Sequence, residues 1–438
     1  MSGSPQLVVL SGRRRVGKTF LLSHFATGKP AVFHAATRQG TAVELERLHE
    51  SARRTLGDDV LALTGGSFAG WEAALRFFAA VTRDQPLLVV LDEVTYLSDG
   101  APAFASVLQS VWDHLGSGTR LMIVLAGSAV RYMESLQAGG GALHGRPTVR
   151  LRMRPVDLWQ AQAFLPDAEP TQLIEAYAAC GGYPLHLQAW TTGDSTWDNL
   201  QRLAGEPGGL LLEDATGILN EELPGAGGYS RILAAVGRGR TRFSEIATEA
   251  GQRIEGPLDL LVQAGFVERE VPIGATRRAR PLYRVADPYL GFWFAMLYAD
   301  RGLIEGGQGR AVLDRLAPRW RGHVSNVFEG LARQHAIRLV TRGELPNAVV
   351  GRWWTSTGLP CEIDVVGLSG TTAVLVGEAK WRKRAVGARV VAELLAKRER
   401  LPDAADDPVV AIWASGGVTD SARESGAVGF DARALVDG

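Results

Sequence analysis

The stretch Gly12-Arg13-Arg14-Arg15-Val16-Gly17-Lys18-Thr19 decides how this 438-residue chain is read. Leu7-Val8-Val9-Leu10 before it is an apolar run of strand length, and Phe20-Leu21-Leu22-Ser23-His24-Phe25 after it opens as an amphipathic helix. A Gly-x4-Gly-Lys-Thr spacing between strand and helix is that of a phosphate-binding loop. The glycines let the backbone close on phosphate oxygens with successive N–H groups turned inward, and the helix adds the positive end of its dipole. In that role Lys18 reaches the β- and γ-phosphates and the Thr19 hydroxyl holds magnesium. Gly12 to Phe20 are then the nucleotide-binding residues. Arg13, Arg14 and Arg15 read as solvated rather than catalytic.

At 438 residues the chain exceeds one hydrophobic core, and two to four domains of roughly 100 to 200 residues are expected. The 46% hydrophobic and 21% charged residues are those of a globular chain. Because 47 basic residues cancel 47 acidic ones, net charge gives no general argument for nucleic acid, and only local clusters can. Two distant cysteines, Cys180 and Cys361, exclude a cysteine-rich zinc site and fit a reducing compartment, so a cytoplasmic protein is expected. No charged-then-apolar leader follows Met1, and no apolar run approaches the roughly 20 residues of a membrane span. Leu290 to Leu297 reads as a buried helix.

Strand and helix alternate after the loop. Ala31 to Ala35 reads as a strand, and Val43 to Leu56 as a helix with Val43, Leu45, Leu48 and Ala52 inward. Pro86 to Glu93 is an apolar strand closing on two acids, at the end where open parallel sheets place ligands. There Asp92 would orient magnesium and Glu93 would polarise the attacking water. A further buried strand, Leu121 to Gly127, ends at Ser128, which either contacts the γ-phosphate and water or caps the next helix. Arg146 is either an arginine that neutralises phosphate charge, in its own or a neighbouring subunit, or an ordinary surface residue.

Taken in order, the phosphate loop, Leu91-Asp92-Glu93, Ala126-Gly127-Ser128, Gly145-Arg146 with Val149-Arg150-Leu151, and Gly181-Gly182-Tyr183-Pro184 resemble the motif set of the archaeal-type ATPases, near the AAA and STAND switches. The resemblance covers nearly the whole chain. It implies ATP and Mg2+ as ligands, Arg146 as γ-phosphate sensor, and Gly182 and Pro184 as adenine-side contacts of a helical lid. Without the family, Gly181 to Pro184 is a helix stop and turn. Given the phosphate loop, the residue pattern divides the chain into a P-loop core over 1–154, a helical lid over 155–224, a winged helix and following helix over 225–300, and a last domain over 318–438. Three short helical runs end at Gly237, Gly251 and Gly265, and Phe266 to Val271 with Pro281 to Val285 suit a wing hairpin carrying Arg277, Arg278 and Arg280. Those arginines fit DNA, yet Glu255 and Asp259 stand beside a single Arg253 on the proposed recognition helix, so an intramolecular clamp on the ATPase fits equally.

Past Gly306-Gly307-Gln308-Gly309, helix Val324 to Val340 carries Glu329. Alternation puts Glu362 and Asp364 on one face of a strand, and Glu378 and Lys380 on one face of the next. Three carboxylates and an ammonium could then bind one or two Mg2+ or Mn2+ ions, with the lysine helping to deprotonate water and steadying the phosphorane-like charge of phosphodiester hydrolysis. Glu329, Asp364, Glu378 and Lys380 resemble the PD-(D/E)xK restriction-endonuclease-like core, with Glu329, Asp364 and Glu378 as metal ligands and Glu378 and Lys380 catalytic. The helix from Val390 to Arg400 offers Glu393 and Lys397 but no glutamine of the sort many active nucleases carry. Arg382-Lys383-Arg384 either tracks a nucleic-acid backbone or is a solvated edge. The whole is an α/β protein whose expected partners are ATP, DNA, and a second copy or a regulatory protein, with no membrane. The competing expectation is an ATP/ADP signalling switch with a catalytically inactive nuclease-like domain.

Overall fold

A computed structural model describes residues 4–82, 85–116, 118–223, 225, 227–275, 279–355 and 360–438. The chain forms two compact units, Met1–Pro155 with Gly217–Pro224, and Val156–Thr216 with Gly225–Gly438.

The first unit is a P-loop-type α/β layer. Strands β1 (Gln6–Ser11), β2 (Ala31–Ala35), β3 (Leu87–Asp92), β4 (Leu121–Gly127) and β5 (Val149–Arg152) make a sheet in the order β2-β3-β4-β1-β5. Every pairing is parallel. β3 is buried along its whole length because side chains cover both faces. Leu87, Val89 and Leu91 pack into one core with helices Thr41–Leu56, Trp71–Val81 and Phe104–Asp113, while Leu88 and Val90 join Leu10, Leu22, Val124 and Ala126 in the other. Register pairs Ser11 with Gly127 and Leu91 with Leu125, so the segments after β1, β3 and β4 leave one edge of the sheet together. That shared carboxyl edge positions the site.

The second unit begins with helices that include Pro170–Cys180, Pro184–Ala189 and Thr196–Ala204. The expected three helices follow at Gly227–Gly237, Phe243–Ala250 and Glu255–Gln263, with the antiparallel pair β6 (Val267–Glu270) and β7 (Leu282–Val285). Leu290, Phe292, Trp293, Phe294 and Leu297 are buried, as expected for that apolar run. A mixed sheet of β8 (Val349–Thr355), β9 (Cys361–Ser369), β10 (Thr372–Lys380), β11 (Ala404–Ala414) and β12 (Ala427–Phe430) closes the chain in the order β12-β11-β10-β9-β8. The first three strands pair antiparallel and the last three parallel. Among the described residues no helix is long and apolar enough to cross a membrane.

Three expectations are corrected. Val43 is exposed, and Glu44 takes the inward position instead, because it receives His34 Nε2 at 2.9 Å and the Thr37 amide at 3.0 Å. The break at Gly306 to Gly309 is real, with Gly307 at φ 83°, but the following helix starts at Gly309 and runs to Arg342 through Pro318, so no boundary falls at 318. Proline removes a single N–H from a 34-residue helix, which the remaining turns tolerate. Finally, the end of the segment expected as lid, Gly217–Pro224, belongs to the first unit.

Glu44→Ala is expected to destabilise the first unit by about 2–4 kcal/mol, because it strands a buried imidazole and a backbone donor. The check is the urea midpoint, and an unchanged midpoint contradicts this account of Glu44.

Candidate functional site

The loop Gly12–Thr19 turns directly from β1 into helix Lys18–Ala26. Glycine is required at 12 because an added Cβ would lie 2.7 Å from the Met153 carbonyl oxygen. Arg15 and Glu93 hold positive φ, 70° and 55°, the left-handed backbone that non-glycine residues adopt at a cost. Lys18 is buried and donates to the carbonyls of Gly12 at 2.7 Å and Arg13 at 3.1 Å. Burial lowers its pKa, opposed by the charges of Glu93, Asp92, Glu221 and Glu222. Val16 is buried, whereas Phe20 is 77% exposed.

Thr19 Oγ1 donates to Asp92 Oδ2 at 2.6 Å, and Asp92 Oδ1 accepts the Glu93 amide at 3.0 Å. Glu93 in turn receives the Ser128 hydroxyl at 2.7 Å and its amide at 3.2 Å. Hydroxyl and carboxylate oxygens thus converge beside an ammonium, a donor set of the hard oxygens that Mg2+ prefers. Ser128 does not cap the following helix, which begins at Val130 after Ala129 without a side-chain cap.

Sequence reasoning missed two residues here, Glu221 and Glu222. Arg14 is not free in solvent: its Nη1 meets Glu221 Oε1 at 2.8 Å. Glu222 is buried and its Oε1 accepts the Val130 amide at 3.3 Å. Both acids lie some 200 residues from the loop, and nothing in their local pattern signals the pairing.

Arg146 is placed elsewhere. Thr148 N donates to Leu7 O, and β5 runs beside Val8 to Ser11, so Arg146 stands at the amino edge of the sheet while the loop follows its carboxyl edge. The five steps from Leu7 to Gly12 span roughly 16 Å at strand rise. The guanidinium forks onto Asp113 instead, with Nε and Nη2 each 2.7 Å from a carboxylate oxygen. A γ-phosphate sensor in the same subunit is therefore ruled out by register.

Gly182 and Pro184 belong to the second unit. Gly182 accepts the Val156 amide at 2.8 Å, and an added Cβ would fall 1.9 Å from the Val156 carbonyl. Close packing accounts for this glycine, and Pro184 opens helix Pro184–Ala189.

In the second unit the expected acidic centre is divided. Glu329, Glu362 and Asp364 present oxygens within 4.8 Å of one another, a set that suits a divalent cation by its chemistry. Glu378, expected among the ligands, is instead clamped by Lys380 at 2.5 Å and by Lys397 at 2.9 and 2.8 Å. Burial alone would lower the Lys380 pKa, but its bond to Glu378 and the charges of Asp364 and Glu329 raise it. An ammonium held in this way suits the charge-steadying part of its expected role rather than proton abstraction. Asp364 is pushed up by burial and by Glu378, partly offset by the Ala379 amide at 2.9 Å.

Arginines also reach the acids. Arg352 pairs with Glu362 and lies 3.4 Å from Glu270, while Arg284 of β7 lies 3.5 Å from Glu270 and 3.9 Å from Glu329. Ile273 donates its amide to Arg352 O and packs with Trp353 and Ile363. The segment beyond β6 thus packs on the C-terminal domain. Arg277 and Arg278 lie outside the described residues, and Arg280, Arg382, Lys383 and Arg384 are exposed.

Residues 4–160 match the family described as an AAA domain, and residues 293–392 match one described as Archaea bacterial proteins of unknown function. An uncharacterized protein of Methanocaldococcus jannaschii is 24% identical over 391 residues, 87% of this chain and 84% of its own. Among solved structures, the Walker-type ATPase of Pyrococcus abyssi aligns over 66% of this chain and 90% of its own, at 20% identity and TM-score 0.47. The ORC2 protein of Aeropyrum pernix aligns over 72% and 90%, at 14% identity and TM-score 0.43.

Burial, then the Asp364 charge, raises Glu329 to about 7 from its ordinary 4.5. The folded state therefore holds that proton more tightly than the unfolded chain, and stability is lost as pH rises from about 4.5 to about 7. Glu329→Gln is expected to raise the thermal midpoint at pH 8 and to leave it unchanged at pH 4. Equal shifts at both pH values contradict this.

Proposed function

We propose, from the premise that the chain joins an AAA domain to the C-terminal segment of an archaeal and bacterial family and so has the make-up of an archaeal-type P-loop ATPase, that it is a magnesium-dependent ATP-hydrolysing switch acting on its own C-terminal half. The observation that carries the reading is the linked set Lys18, Thr19–Asp92 and Glu93–Ser128 at one sheet edge. Lys18 trades its two loop carbonyls for β- and γ-phosphate oxygens, which its position at the start of a helix favours. Thr19 and Asp92 would hold Mg2+, which when bound offsets charge between the β- and γ-phosphates. Glu93 orients the attacking water and accepts its proton. Ser128 sets the direction of the Glu93 carboxylate through two hydrogen bonds. Gly182 and Pro184 are proposed on the adenine side, and Arg146 can serve only a second copy's nucleotide.

For the C-terminal half, Glu329, Glu362 and Asp364 would hold the second Mg2+ or Mn2+, and Arg280, Arg382, Lys383 and Arg384 would meet DNA phosphates. The two lysines on Glu378 favour a second reading, in which the nuclease-like domain has no cutting activity and binds a partner instead.

Lys18→Ala is expected to abolish ATP turnover, whereas Glu93→Gln keeps nucleotide binding and loses at least about a hundredfold in turnover, the usual span for a general base. Wild-type turnover in either variant contradicts the ATPase reading. Plasmid incubated with Mg2+ or Mn2+ decides the C-terminal question: cutting lost in Glu378→Ala and Lys380→Ala supports action on DNA, and intact plasmid in every nucleotide state supports partner binding.

A further inference from the structure

Helix Leu210–Glu222 ends on two acids that no step of ATP hydrolysis uses. They fall in the segment Gly217–Pro224 that belongs to the first unit, and they lie against the phosphate loop and its surroundings. Glu221 grips Arg14, a loop residue, at 2.8 Å. Glu222, 6% exposed, accepts the Val130 amide just beyond Ser128. Both carboxylates act on Lys18, which stands among four, Asp92, Glu93, Glu221 and Glu222, and burial pushes the Glu222 carboxyl up. Asp92 and Glu93 have work to do once a metal and a water are present. Glu221 and Glu222 oppose any further negative charge brought to Lys18, and in a partly buried site that opposition is weakly screened.

We propose that Glu221 and Glu222 form an acid latch that discriminates ATP from ADP at this loop. The γ-phosphate brings its charge to Lys18 and competes with Glu221 for Arg14, so a triphosphate releases residues 217–223 while a diphosphate leaves them in place. Arg14 exchanges a carboxylate for a phosphate oxygen, which keeps the cation paired throughout. The inference rests on the ATP reading of the loop and adds the means by which one phosphate is sensed. The released segment precedes Gly227, where the winged-helix region begins in sequence.

The test uses the full chain and the double substitution Glu221→Gln with Glu222→Gln, which keeps size and leaves an oxygen for the Val130 amide. Equilibrium titrations with Mg·ATP and Mg·ADP are expected to show ATP bound about tenfold tighter in the variant, with ADP changed by less than about twofold. Equal changes for both nucleotides, or weaker ATP binding, overturn the latch. Should the variant fold poorly, hydrogen exchange on the wild type decides: residues 217–223 exchange faster with a non-hydrolysable ATP analogue than with ADP if the latch exists. Equal exchange in the two states, or slower exchange with the triphosphate, overturns it. A wild type that retains neither nucleotide contradicts the ATP reading itself, whereas one that binds both without these differences contradicts only the latch.

Discussion

The hydrogen bond of 2.6 Å from Thr19 Oγ1 to Asp92 Oδ2 ties the first helical turn after the loop to the end of β3, and the rest of the nucleotide-site geometry follows from it. It can form because β1, β3 and β4 run parallel in a register that brings Ser11, Leu91 and Leu125 to one edge. Parallel strands need crossover helices, and those helices bury β3 on both faces, which fixes the height at which Asp92 and Glu93 emerge. Glu93 then sits in a left-handed backbone conformation that its two bonds from Ser128 help to hold. Strain of this kind persists only where neighbouring groups over-determine it.

The second unit obeys a different constraint. Its charged side chains gather in company: half-buried Glu270 and Arg284 from the hairpin meet half-buried Glu329 and Arg333 and buried Arg352 and Asp364 from the C-terminal domain. Removing such charges from water is expensive, and only mutual pairing offsets it. Arg333 reflects that balance, with burial lowering its pKa against the acids around it, and it donates to the Asp364 carbonyl at 3.1 Å. The network explains why the hairpin and the last sheet form one compact unit. It also explains why the acids there are less available than their spacing implies.

What was legible in the sequence was local. Gly12 to Thr19, the apolar strand before Asp92 and the glycine-terminated helices each carry their meaning within about ten residues, and the structure has them where they were expected. Motif order does not encode register, so nothing in it shows that Arg146, two residues before the Thr148 that pairs with Leu7, lies at the sheet edge opposite the loop of its own subunit. Alternation correctly grouped Glu362 with Asp364, and Glu378 with Lys380. It had no means of finding Lys397, which arrives from helix Ala388–Arg398 to hold Glu378. The Arg14–Glu221 pair was invisible for the same reason: 207 residues separate its members. Val43 and Glu44 mark a further limit, since hydrophobicity ranks valine inward until a buried histidine supplies the acid with a partner.

The central claim is that one loop, organised by the bond between Thr19 and Asp92, binds a magnesium nucleotide. Calorimetric titration of the whole chain with ATP, in the presence of Mg2+ and again with the metal chelated, tests it most directly. The account predicts one nucleotide per chain and markedly weaker binding once the metal is withdrawn. Absence of binding in both titrations, or affinity indifferent to the metal, would contradict it.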